Sequence, residues 1–182
     1  GIRNTGEDGG VAGFDVNAVQ AWDITTGAST VIVGVIDTGI RYTHQDIATN
    51  MWVNTAEIAG NSVDDDGNGY VDDVYGMNGI NGTGDPMDDN GHGTHVSGTI
   101  AGTANDVGQI VGVAYNVRLM GLKFLSASGS GAISDAIKCI EYTVAMGAHI
   151  LSNSWGGGGA STAAENAIQA ANDAGLLFTA AA

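Results

Sequence analysis

Cysteine, proline and positive charge are nearly missing from this chain. Cys139 is the single cysteine, so no disulfide can form within the chain and the redox compartment cannot be read from it. It sits in Ala136-Ile137-Lys138-Cys139-Ile140, an apolar helical stripe, where a buried structural thiol is expected rather than a reactive one. One proline serves the whole chain, an expectation of mobile loops. Lysine and arginine together number 5 against 20 acidic residues, a net charge of −15. That balance excludes the basic face that nucleic acid or an anionic membrane would require. No apolar run approaches the ~18 residues of a membrane span. The first residues carry no basic segment followed by an apolar one, as a signal peptide would. The expectation is a secreted, extracellular chain in its mature form, with an acidic surface suited to cations.

What is abundant is glycine, at 30 of 182 residues, beside a hydrophobic share of 43%. This suits an ordered, turn-rich globular protein with a sizeable core. Neither an internal repeat nor a shift in composition marks a second domain.

An irregular arm over residues 1–28 leads to a short helix, for which Asp15 or Asn17 is a candidate cap. Thr30 to Ile36 is a continuous β-branched run closed by Asp37-Thr38-Gly39, the pattern of a strand buried on both faces. A carboxylate at the end of such a strand lies at the edge where open α/β sheets keep their sites. Residues 41–56 read as a loop with a helical turn, and 74–80 as a short strand. Further strands are expected over 117–125, 149–154 and 176–182. Helices are expected from His92, over Ile133–Met146 with Ile133, Ile137, Ile140 and Val144 on one face, and over Thr162–Ala174. The Ser/Gly-rich residues 126–131 read as flexible. Strands alternating with helices predict an α/β fold, a parallel sheet flanked by helices on both faces.

The segment Asn90-Gly91-His92-Gly93-Thr94-His95-Val96-Ser97-Gly98-Thr99 places a histidine at the start of a helix of small residues. A helix-interior glycine costs about 1 kcal/mol relative to alanine, so Gly98 and Gly102 point to close backbone approach. His92 by itself would read as a capping or core histidine. Its partner is upstream: an aspartate bonded to a histidine fixes the tautomer and stabilises the imidazolium, which makes the histidine a general base. The run Gly156-Gly157-Gly158-Gly159, directly after a buried strand, reads as a place where another backbone approaches closely rather than a linker. In Asp64-Asp65-Asp66-Gly67-Asn68-Gly69-Tyr70-Val71-Asp72-Asp73, oxygen side chains alternate with glycines. Asp64, Asp66, Asn68, the Tyr70 carbonyl and Asp72 or Asp73 look like the first part of an EF-hand loop without its twelfth-position glutamate. The alternative is a solvated acidic loop, but so many carboxylates repel without a counter-ion, so bound Ca²⁺ is expected.

These motifs resemble those of the subtilisin-like serine proteases, or subtilases. Val33-x-Val35-Ile36-Asp37-Thr38-Gly39-Ile40 is similar to the family's catalytic-aspartate motif, and His92-Gly93-Thr94-His95-Val96-Ser97-Gly98-Thr99 to its catalytic-histidine motif. The resemblance covers essentially the whole chain. It implies Asp37 and His92 as catalytic residues, and Gly129, Gly131, Ser154, Trp155 and Gly156 as the substrate-binding segments that pair with an extended peptide. It also implies Asp46 as a calcium ligand, completed by the loop from Asn105 to Ile110. The acidic loop resembles a calcium-binding insertion of larger subtilases, with Asp64, Asp66, Asn68, Tyr70 and Asp73 as ligands.

The family's nucleophile lies in a Gly-Thr-Ser-Met-Ala segment, and its oxyanion-hole asparagine follows a strand like the last one here. Neither segment occurs in these 182 residues. The expectation is therefore the N-terminal part, residues 1–182, of one subtilisin-like peptidase domain, its sheet truncated at the C-terminal side. Such a chain would be inactive unless a C-terminal remainder completes it. The partners implied are a peptide or protein substrate and that remainder, with no nucleic acid and no membrane. Two other classes are a calcium- or peptide-binding module that kept the fold without catalysis, and a metalloenzyme using His92 and His95, which would need a third ligand and a general base.

Overall fold

Strand β1 (Ile32–Asp37) is the centre of the molecule. The computed structural model describes residues 2–104 and 110–181, and in it five strands form one parallel sheet in the order β2-β3-β1-β4-β5. The others are β2 (Gly76–Asn78), β3 (Arg118–Lys123), β4 (Ile150–Asn153) and β5 (Leu177–Ala180). Each falls inside its expected window, apart from Asp37, which extends β1 by one residue. The helices are α1 (Ala18–Trp22), α2 (His92–Ala101), α3 (Ile133–Ala145) and α4 (Thr162–Asp173).

Alternation along the strands sorts the side chains into two layers. Val33 and Val35 of β1 and Leu119 of β3 pack with Ala101, Val96 and Ile100 of α2. Ile36 of β1 and Met120 and Leu122 of β3 pack on the opposite face with Ala136, Cys139 and Ile140 of α3 and Ala167 and Ala171 of α4. The sheet is thus covered by helices on both sides, as expected, which is why β1 has no polar residue before its end. Gly34 lets α3 close on the sheet, since a Cβ there would lie 2.8 Å from Thr143 Cγ2.

Period two carries the pattern one step further. Asp37 follows Val33 and Val35 onto the α2 face, and Lys123 follows Leu119 there. Both lie at strand ends, in register with each other. On either side of β1 the chain takes opposite routes, to β3 and to β4, so their carboxyl ends open a crevice of the kind that open α/β sheets use for ligands.

Four expectations change. The residues at 126–131 are held: Ser126 N–H donates to Ser130 O at 2.9 Å, Gly129 N–H to Ser126 O at 2.8 Å, and Asn90 Nδ2 to Ala127 O at 2.8 Å. Beyond its own helix, Gly98 has no neighbour among the described residues within 4 Å of where a Cβ would stand. Gly102 does approach closely, against Gly112, and the second close approach is made by Gly93 in place of Gly98, its Cβ 2.2 Å from Gly39 O. At Gly156–Gly159 likewise, none of the described residues beyond their chain neighbours lies within 4 Å of where a Cβ would stand. Asn17 is the α1 N-cap by position, but its side chain makes no capping bond; Asp15 Oδ1 accepts the Asn17 N–H at 2.7 Å.

Candidate active site

Asp37 is fully buried at the end of β1, and His92 opens α2 with 49% of its side chain exposed. The His92 Nδ1 lies 2.7 Å from Asp37 Oδ1 and 3.0 Å from Oδ2. The carboxylate also accepts the Thr38 N–H at 2.7 Å. A carboxylate facing Nδ1 holds the proton there and leaves Nε2 as the basic nitrogen.

The histidine is placed by glycines and by one carboxylate. Gly91, the residue before it, has φ 108°, a conformation that glycine adopts without strain. The short distance between Gly93 and Gly39 brings the first turn of α2 against the end of β1. Asp88 ties the turn together. Its Oδ1 accepts from Asn90 N–H, Gly91 N–H and Thr38 Oγ1, and its Oδ2 from Thr94 N–H and Thr94 Oγ1. Burial pushes the Asp88 carboxyl up, but the bonds from Gly91, Thr94, Asn90 and Thr38 outweigh it and leave it below the usual carboxylate value. Thr38 Oγ1 in turn accepts the Gly93 N–H at 2.9 Å.

His92 faces a cleft of about 640 Å³. One wall is Phe124, Leu125 and Gly129–Gly131, the other Ser154, Trp155 and Gly156–Gly159, so all five expected substrate-binding residues line it. Phe124 and Trp155 meet edge to face, centroids 4.7 Å apart, at the floor between β3 and β4. Asn90 joins the histidine to the first wall, since its Oδ1 accepts the His92 N–H at 3.1 Å while its Nδ2 reaches Ala127. Sequence reasoning passed over Asn90, Asp88 and Thr38. The signal was an aspartate two residues before an Asn-Gly turn at a helix start.

A sequence model of the subtilase family matches residues 28–182. The chain belongs to that family. It is 42% identical to subtilisin-like protease 1 of Plasmodium vivax over 82% of its own length and 24% of the relative's. It is 35% identical to subtilisin DY of Bacillus licheniformis over 85% of its length and 47% of the relative's. A crystal structure of a cold adapted subtilisin-like serine proteinase superposes with a TM-score of 0.62 at 31% identity, covering 86% of this chain and 47% of that one. The chain thus spans about a quarter to a half of the length of these relatives.

In this subtilase the acidic loop is drawn inward. Carboxylate oxygens of Glu57, Asp66 and Asp73 converge within 4.8 Å of one another, and Asp73 is fully buried. Asn54 Nδ2 donates to both Asp66 Oδ2 and Asp73 Oδ1, at 3.0 and 2.9 Å. Asn68 Nδ2 donates to Asp73 Oδ2 at 2.7 Å. The Tyr142 hydroxyl donates to the same oxygen, and burial, then this bond, push its phenol well above the ordinary tyrosine value. The Tyr70 ring packs edge to face on Tyr142, 5.5 Å away. Asp64 accepts backbone N–H groups of Gly67, Asn68 and Gly69, folding the loop on itself, and the Gly69 bond chiefly holds its carboxyl below the usual value. Glu57 was not among the expected ligands, because it stands seven residues before the acidic run. Its Oε1 accepts from Asp65 N–H and its Oε2 from Asp72 N–H.

Elsewhere, Asp46 is buried, and its Oδ1 has no hydrogen-bond partner among the described residues. Ile110, the other end of the expected site, is exposed, and Asn105 lies outside the described residues. The group of clustered ligands found among the described residues contains neither His92 nor His95. Cys139 is buried against Met77, Sγ to Sδ 3.5 Å, and burial pushes its thiol up to about 12, the inert state expected of a core cysteine.

Proposed function

We propose that this chain supplies the acid–base half of a secreted, calcium-stabilised subtilisin-like serine endopeptidase. Residues 1–182 are read as the N-terminal part of its catalytic domain. The observation that carries this is the 2.7 Å contact between a buried Asp37 and a half-exposed His92 at the mouth of a cleft. Asp37 orients His92 and balances its charge once protonated. His92 Nε2 takes the proton of a serine contributed from outside these 182 residues and returns it to the leaving amine. The serine oxygen bonds to the scissile carbonyl carbon, the amine leaves, and water then releases the acyl group by the same proton path. An extended peptide lies between Gly129–Gly131 and Ser154–Gly156, held by main-chain hydrogen bonds. A module that only bound peptide or calcium would gain nothing from the buried Asp–His pair.

Calcium fits two places. Asp46 Oδ1 is a buried carboxylate oxygen without a hydrogen-bond partner among the described residues, and Glu57, Asp66 and Asp73 present converging carboxylates, a donor set for a hard cation. Bound there, calcium would offset their mutual repulsion and brace the loop; no proton transfer passes through it.

The deciding experiment measures peptide hydrolysis by the protease that carries this chain, in wild type and in H92A and D37N. Both variants should lose about 10⁴-fold or more in kcat, the size of loss known for the subtilisin triad. Retained activity in either would rule out the assignment. The 182-residue chain alone should hydrolyse nothing.

A further inference from the structure

Lys123 is a buried ammonium that the acid–base chemistry leaves unused. The side chain is 4% exposed at the end of β3, in register with Asp37. Its Nζ donates to Thr38 O at 2.7 Å, Leu125 O at 2.9 Å and Asp89 Oδ1 at 2.6 Å. An ammonium has three protons, and each has its acceptor. Desolvating such a charge is expensive, and an apolar residue of the same volume would serve stability as well or better. Its one anionic partner among the described residues, Asp89, is 54% exposed and offsets little of that cost.

The three acceptors belong to three different parts of the cleft. Thr38 follows Asp37. Asp89 precedes the Asn90-Gly91 turn that launches His92. Leu125 begins the wall that continues to Gly131. The backbone carbonyl of Asp37 accepts from Phe124 N–H and Leu125 N–H at 3.0 and 3.1 Å, so the strands are already joined where they leave the sheet. The ammonium extends that junction one residue further and adds the loop before His92.

We propose that Lys123 is a positioning residue of this subtilase. Its ammonium locks the exits of β1 and β3 and the loop before α2 into the arrangement that sets the Asp37–His92 pair against the cleft wall. It acts through Thr38, Leu125 and Asp89. The inference rests on reading Asp37 and His92 as the acid–base pair.

The test reads the protease that carries this chain, labelled with ¹⁵N-histidine, by NMR, so it does not depend on catalysis. A histidine Nδ1–H bonded to a carboxylate gives a far-downfield proton resonance, assigned here by its loss in H92A. It should be present in wild type, lost to exchange in K123M, and broadened in D89N, with circular dichroism showing each variant folded. A folded K123M with the wild-type resonance overturns the proposal. Should K123M not fold, a D89N spectrum identical to wild type overturns it instead. Absence of the resonance in wild type removes the Asp37–His92 reading itself, and the inference with it. In the protease that carries this chain, K123M should lower kcat about 10- to 100-fold, the scale of a small displacement of reacting groups, with KM less affected. An unchanged kcat would refute the role.

Discussion

The Asp88 carboxylate does for α2 what its N-cap does not. Gly91 has no side chain to offer the free N–H groups of the first turn, and Asp88 takes those of Gly91 and Thr94 along with the Asn90 N–H. Because these bonds hold its carboxyl below the unfolded value, the sign of the linkage is fixed. The stabilisation is fully present above the unfolded pKa of about 4 and is lost as pH falls through the lower folded value. D88N, which keeps the shape but not the charge, should lower Tm at neutral pH and flatten its decline between about pH 5 and pH 2. A D88N melting profile parallel to wild type across that range would show that the carboxylate contributes no linkage.

Among the elements, α2 offers the sharpest contrast, because two of its glycines look alike in sequence and differ in space. A Cβ at Gly93 would strike Gly39 O at 2.2 Å, whereas at Gly98 it would meet none of the described residues beyond its own helix within 4 Å. G93A should therefore cost about 1–3 kcal/mol by overpacking and push His92 from Asp37. G98A should stabilise by up to about 1 kcal/mol, the gain of alanine over glycine in a helix. Urea unfolding of the two variants checks both signs, and a destabilised G98A would contradict the open space seen there. The same comparison marks what a sequence can carry. β1 was readable because burial on both faces leaves no polar residue in Val31–Ile36, and Asp37 and His92 because each closes or opens an element with its motif intact. A glycine, by contrast, records only that a side chain is missing, not what would have met it, so Gly98 and Gly93 could not be told apart. Lys123 was equally silent: a charge at the end of an apolar strand reads as the surface, and only the fold brings Thr38, Leu125 and Asp89 around it. Glu57 was missed because its contact with Asp66 and Asp73 is made by the loop's folding, not by spacing.

For the molecule as a whole, a net charge of −15 makes self-repulsion a general cost of compactness. Sodium chloride should raise Tm as the Debye length falls to about 10 Å at 0.1 M, without regard to where the carboxylates sit. Calcium should do more. At matched ionic strength, Ca²⁺ at about 100 times its dissociation constant should add about 2.7 kcal/mol per site, and E57Q should lose the part owed to the acidic loop. If calcium and sodium at equal ionic strength give equal melting temperatures after chelator treatment, neither place holds the ion.

The central position of β1 also governs how the chain comes together in time. β1 leaves the ribosome before both strands that flank it, since β3 and β4 lie more than eighty residues later in the sequence. At typical rates of synthesis its two edges wait roughly ten seconds for partners. An apolar strand with both ladders open is adhesive during that interval, and parallel pairing across such separations is slow even once the partners exist. The arrangement that puts Asp37 in the middle of the finished sheet therefore makes the unfinished chain dependent on protection while it grows.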